Sequence, residues 1–208
     1  MKSLQSPVTL LLILVVFLFL SLTVSVLINM KLLKEQENHA FYLKKESRLY
    51  NLAFKDTLTG LFNRNAYIRD LRKLQRKKPK SLCFSIFDID DFKKINDAKG
   101  HLFGDEILVL AAKRLQNIFD TKEHIVYRLG GDEFFVISKN ISEADLIALF
   151  LKLRNEEIKN GDFRFSKGYS FVAKNTALYF NIAFENADEM LYADKKTKNN
   201  TYSGKKTS

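Results

Sequence analysis

The 208-residue chain has no tryptophan, one cysteine, two prolines and eight glycines. A single thiol excludes an internal disulfide framework and fits a reducing compartment. That thiol, Cys83, sits in the apolar run Ser81-Leu82-Cys83-Phe84-Ser85-Ile86-Phe87, where a buried structural role is expected. So little proline and glycine excludes a linker-rich or low-complexity chain. Without tryptophan, core volume comes from leucine, isoleucine and 18 phenylalanines. Acidic residues are also outnumbered, 24 against 34 basic, for a net charge of +10. No nucleic-acid module signature accompanies that excess, so nucleic acid is not an expected partner. The basic residues cluster instead at Lys31, Lys34, Lys44, Lys45 and Arg48, along residues 72–80, and near the end at Lys195, Lys196, Lys198, Lys205 and Lys206.

Residues 8–30 carry no charge and are dominated by Leu, Val, Ile and Phe. As a helix they would extend roughly 34 Å, enough to cross a bilayer core. A cleaved signal peptide and a buried core helix are the alternatives. The run is long for a signal segment and lacks an Ala-x-Ala exit, although Ser21 and Ser25 leave cleavage open. A core helix so uniformly apolar would need a large domain around it. The expectation is a retained single-pass span in the cell inner membrane, in contact with lipid. The basic cluster after Met30 places the rest of the chain in the cytoplasm. Little chain precedes the span, so no external sensor domain is expected.

Residues 31–54 read as a charged helical connector. Positions 33, 36, 40, 43, 47, 50 and 54 (Leu, Gln, Ala, Leu, Ser, Tyr, Phe) make an interrupted apolar seam at heptad spacing. Dimer contact and packing on the chain's own domain both fit. Residues 55–200 form the main domain and 201–208 a basic tail. Within the domain, residues 65–75, 104–119, 142–158 and 183–196 read as helices, and 81–87, 124–129, 133–138 and 163–172 as strands. Gly130-Gly131 marks a hairpin between the second and third strands. Ser142-Glu143-Ala144-Asp145 resembles a capping box. Strands separated by helices predict an α/β sandwich of a central sheet with helices packed on it.

Three clusters carry chemistry. Asp88, Asp90 and Asp91 come directly after an apolar strand, where a few carboxylates suit Mg²⁺, whose other sites go to water and phosphate; a solvated acidic turn is the plain alternative. Arg128-Leu129-Gly130-Gly131-Asp132-Glu133-Phe134 pairs a turn that can approach phosphate with two more acids. If the two clusters meet, four like charges crowd one point and call for a cation. The third, Gly100-His101-Leu102-Phe103-Gly104-Asp105, places a carboxylate near a helix start. It either complements the helix dipole or, with the Asn96 amide, reads a base edge. A carboxylate accepting from guanine N1–H and N2–H₂ would favour guanine over adenine.

These residues, with Asp56-x-Leu58-Thr59-Gly60-Leu61-x-Asn63-Arg64, Asp88-x-Asp90-x-Phe92-Lys93-x-Ile95-Asn96-Asp97 and Gly100-His101-x-x-Gly104-Asp105, occur in the order of the motifs of the diguanylate cyclase (GGDEF) family. The chain resembles that family from about residue 56 to residue 200. The resemblance implies a palm-like nucleotidyl-cyclase fold, a central and mainly antiparallel sheet flanked by helices, here preceded by one transmembrane helix. It implies a homodimer that condenses two GTP into cyclic di-GMP and two pyrophosphates with Mg²⁺, or alternatively Mn²⁺. Carried over residue by residue, Asp88, the Ile89 carbonyl, Asp132 and Glu133 would bind metal. Asp132 or Glu133 would take the 3′-OH proton. Phe92, Lys93 and Lys195 would lie along the phosphates, and Asn96, Asp105 and nearby His101 would recognise guanine.

Two departures from the family pattern stand out. The family's inhibitory Arg-x-x-Asp is here Thr121-Lys122-Glu123-His124, which has no arginine fork, so product inhibition through that site is not expected. The late Gly-Arg-Asn is Lys198-Asn199-Asn200, with Lys198 a less well-oriented substitute for the arginine, and Ser166-Lys167-Gly168 keeps only the outline of a Ser-x-Gly strand. An active cyclase is the leading reading. A catalytically weak or inactive GTP-binding or partner-binding membrane adaptor is the alternative, and a cyclase with relaxed base choice ranks below it because Asp105 is present.

Overall fold

The computed structural model describes residues 7–77, 79–173 and 177–203, with the side chains at 177, 178 and 199–203 excepted. Asn199, Asn200 and the basic tail therefore lie outside the described side chains or residues. The chain divides into two compact units, Met1–Tyr50 and Asn51–Ser208. Helix α1 (Pro7–Phe54) runs through the first and gives its last turn to the second. No residue of α1 is buried.

The second unit is built on a four-stranded antiparallel sheet of β1 (Leu82–Ile89), β2 (His124–Gly130), β3 (Glu133–Lys139) and β4 (Phe165–Phe171), in the order β2-β3-β1-β4. Every residue of the central strand β1 is buried, because helices cover both faces of the sheet. Alternation sorts its side chains. Cys83, Phe87 and Ile89 join Phe134, Val136 and Phe165 under α4 (His101–Ile118) and α5 (Glu143–Asn160). Leu82, Phe84 and Ile86 join Tyr127, Phe135 and Ile137 under α2 (Arg64–Lys77) and α6 (Ala177–Ser203). The phenylalanines carry both cores: Phe87 alone meets Phe119, Phe150 and Phe165 edge-on at 5.7–5.9 Å.

Several boundaries differ from the sequence reading. A short helix, α3 (Phe92–Lys99), comes after the β1 exit where no helix was expected. Helix α4 starts at His101 rather than at 104, so Asp105 lies a full turn inside it. Helix α6 starts at Ala177 rather than 183. The α5 start is as read but differs in detail. Ser142 Oγ accepts from the Asp145 amide at 3.2 Å and donates to the Asp145 carboxylate at 2.6 Å, so the acid returns to the serine hydroxyl instead of its backbone.

Candidate active site

The first motif is a brace. Asp56 accepts from the Thr59 amide at 2.8 Å, the Thr59 hydroxyl at 2.6 Å and Arg128 Nη1 at 3.0 Å. Burial alone would raise this carboxyl, but those hydrogen bonds and the Arg128 charge outweigh it and hold it below the usual carboxylate value. Arg128 also donates from Nε and Nη2 to the Gly131 carbonyl at 2.9 and 2.8 Å. The Asp56 loop thereby sets the tip of the β2–β3 hairpin. Gly131 takes φ +54°, which explains a glycine there. Asn63 accepts from the Ala66 amide at the start of α2 and donates to the Ala53 and Lys55 carbonyls, fastening that loop to the end of α1.

The hairpin brings its acids to the β1 exit. Asp88 pairs in register with Glu133, and only 7 % of Asp88 is exposed. Its carboxylate lies 2.8 Å from Lys195 Nζ of α6. Burial is the largest influence and raises the Asp88 carboxyl; Lys195 opposes it, and the charges of Asp132 and Glu133 add to the rise. The hairpin acids Asp132 and Glu133 therefore meet Asp88, but the four acids of the two clusters do not crowd one point.

The other exit acids go elsewhere. Asp90 accepts from Ser166 Oγ and from Lys198 Nζ, while Asp91, in the left-handed region at φ 59°, pairs with Lys94 at 2.6 Å. A cleft of about 630 Å³ opens over this exit, and Asp88, Ile89, Phe92, Lys93, Asp132 and Lys195 all line it. Glu133 is exposed beside the cleft and does not line it.

The base-reading residues lie apart from that cleft. Asn96 sits on α3, its Oδ1 buried and without a hydrogen-bond partner among the described residues. A Cβ on Gly104 would overlap that oxygen, so this glycine makes the room Asn96 occupies. Asp105 lines a second groove with Leu58 and Glu106, and His101 is exposed.

Lys198, expected as a less well-oriented substitute for an arginine, also lines the cleft. It is caged by the Phe165 carbonyl at 2.6 Å, Asp90 at 3.1 Å, Asp194 at 3.1 Å and Ser166 Oγ at 3.2 Å. Asp194 is a local i,i+4 partner on α6, but the others come from β1's exit and β4, separations that no local pattern in the sequence encodes.

Among the described residues, no three His, Cys, Asp or Glu side chains converge closely enough to hold a metal by themselves. Asp88 and Asp132, two of the carboxylates that line the cleft, still fit Mg²⁺ of the kind that takes one or two protein oxygens and leaves the rest to water and phosphate. Burial is the main cause of the raised Asp88 carboxyl, and a divalent cation would relieve the smaller share that comes from the charges of Asp132 and Glu133.

Comparison with known proteins agrees with this architecture. The family model described as diguanylate cyclase, GGDEF domain, matches residues 53–201. The chain belongs to that family. It is 35 % identical over 154 residues to the probable diguanylate cyclase DgcI of Escherichia coli, a match covering 74 % of this chain and 34 % of that protein. It is 32 % identical over 162 residues to a diguanylate cyclase of Vibrio cholerae, covering 74 % and 50 %. The chain thus spans between a third and a half of the length of these relatives. In fold it is similar to the coiled coil and GGDEF domain of DgcB from Caulobacter crescentus, solved with c-di-GMP, at a TM-score of 0.71 and 22 % identity over 82 % of this chain and 95 % of that one.

Proposed function

We propose that this protein is a membrane-anchored diguanylate cyclase that converts two GTP into cyclic di-GMP and two pyrophosphates. The observation that carries the reading is a cleft lined by Asp88 and Asp132 together with Lys93 and Lys195, the last paired with Asp88 at 2.8 Å. Opposed charges around one opening suit a metal-bound triphosphate. Asp88, the Ile89 carbonyl and Asp132 would hold Mg²⁺ or Mn²⁺, with Glu133 completing the set. The ion would supply neutralisation of phosphate charge. Lys93 and Lys195 take the phosphate oxygens, with Phe92 alongside. Asp105 accepts from guanine N1–H and N2–H₂ and Asn96 meets the same base, with Leu58 offering an apolar surface in the Asp105 groove and His101 near by.

Each 3′-OH attacks the α-phosphorus of the facing nucleotide. The new O–P bond forms as the bond to pyrophosphate breaks, and the electron pair leaves on pyrophosphate. Asp132 or Glu133 receives the hydroxyl proton. Two such steps close the ring, and neither needs a covalent enzyme intermediate. Facing nucleotides require a homodimer, whose two domains supply the in-line geometry. The seam on α1 is available for it: Leu33, Leu43 and Tyr50 are 60, 52 and 42 % exposed, whereas Phe54 turns toward the core under α2. The Thr121–His124 stretch offers no guanidinium, so cyclic di-GMP does not inhibit through it.

Detergent-solubilised full-length protein with GTP and Mg²⁺ tests this. Formation of cyclic di-GMP, lost in Asp132→Ala, is the expected result. GTP binding without product would leave the GTP-binding adaptor, and neither binding nor product would leave only the partner-binding adaptor.

A further inference from the structure

The cage around Lys198 has more acceptors than the ammonium has protons, and it spans three elements. Asp90 belongs to the β1 exit, Phe165 and Ser166 to β4, and Asp194 and Lys198 to α6. Neighbouring bonds tighten it. The Asp90 amide donates to the Arg164 carbonyl at 2.9 Å, the Lys167 amide donates to Asp194 Oδ2 at 3.0 Å, and Ser166 donates to Asp90. For Lys198 to reach a ligand phosphate it would have to leave two carboxylates and a carbonyl. Lys195, three residues earlier on the same helix, has one charged partner among the described residues, Asp88, and a side chain 38 % exposed.

We propose that Lys198 is a positioning residue: it clamps α6 to the β1 exit and so presents Lys195 at the mouth of the cleft, without itself touching the nucleotide. Compact ammonium geometry suits such a point-like cage, and a guanidinium does not. Asp194 is the second half of the clamp, ion-paired with Lys198 and accepting from the Lys167 amide. This inference rests on the cleft being a triphosphate site.

The alternative, direct phosphate binding by Lys198, predicts opposite signs. Under that alternative Lys198→Arg would bind triphosphate as well or better, and Asp194→Asn, by freeing the ammonium, would tighten binding. Under the clamp, Lys198→Arg, Lys198→Met and Asp194→Asn each weaken binding, by about tenfold, the size of one lost charge-assisted hydrogen bond. In a Lys195→Met background the Lys198→Met change adds little, because the effect runs through Lys195.

The experiment is calorimetric titration of the detergent-solubilised full chain and these variants with Mg²⁺ and a non-hydrolysable GTP analogue. It is paired with hydrogen exchange along α6 in nucleotide-free protein. Weakened binding in Asp194→Asn and Lys198→Arg, with faster exchange in the last turns of α6, is the expected result. Tighter binding in either variant, or unchanged exchange in Asp194→Asn, overturns the clamp. If the parent protein binds no triphosphate, the proposed function fails, while the exchange measurement still decides whether the clamp exists.

Discussion

Asp88 is held among charges that work against it. It is buried in β1, faces Glu133 across the ladder and feels Asp132, with Lys195 as its ion-pair partner at 2.8 Å. Because its folded-state pKa is raised, the stability this group contributes is fully present below its unfolded pKa and is lost as pH rises through the folded value. At neutral pH an ionised Asp88 therefore disfavours the folded, metal-free state. Replacing Asp132 by Asn removes part of the repulsion. In chelator at pH 7 the Asp132→Asn protein should melt about 1–3 °C higher than the parent, a gain kept small by solvent screening. The difference should shrink in acid, and cyclase activity should be lost. Added Mg²⁺ should raise the parent's melting temperature more than the variant's. A variant that melts lower than the parent at pH 7 would show that Asp132 is a structural partner and not a repelling one. These two aspartates were legible in the sequence because each sits beside a strong local signal, an apolar strand or a Gly-Gly turn. The Lys198 cage was not, since all its acceptors except Asp194 lie 32 to 108 residues away in sequence.

At the scale of elements, the cleft depends on how closely α6 lies against β4. Gly168 is the contact point. A Cβ there would overlap the Ala187 carbonyl oxygen and the Leu191 amide nitrogen, both backbone atoms of α6. Backbone of a long helix cannot step aside as a side chain can, so Gly168→Ala must push α6 outward, carrying Lys195 and Lys198 with it. We expect a loss of about 1–3 kcal/mol in urea unfolding, the range for overpacking a tight interior. Triphosphate binding should fall further than Lys195→Met alone produces. An alanine variant with parental stability and binding would mean that α6 does not rest on this glycine. The contact also accounts for the outline Ser166-x-Gly168: the serine reaches Asp90 and the glycine admits α6. The strands and long helices could be read because their apolar periodicity is sustained. Helix α3 could not, because FKKINDAK is eight residues, mostly polar and without a buried residue. What sets that helix is the left-handed turn at Asp91 before it and Gly100 after it, at φ 59° and 85°.

At the scale of the whole molecule, the N-terminal half of α1 is unlike anything in the second unit. Its most apolar stretch has a mean hydropathy of 3.1 with none of it buried, and apolar residues such as Leu11, Phe17 and Leu22 stand 61–70 % exposed around its circumference. A helix apolar on all sides belongs in lipid or in the middle of a large protein. The second unit already fills its two cores with its own strands and helices. We therefore expect full-length protein in the membrane fraction, resistant to high salt and alkaline carbonate and released by detergent. Intact mass should include residues 8–30, since cleavage after Ser21 or Ser25 would leave the domain soluble. A chain beginning at residue 31 should appear in the soluble fraction and keep the domain's fold. The basic residues at 31–48 predict that a protease added to intact spheroplasts leaves the domain uncut and cuts it once the membrane is opened. Recovery of the full-length chain in the soluble fraction would refute the anchor. It would leave the cleft and its chemistry untouched, because every residue placed there lies beyond residue 54.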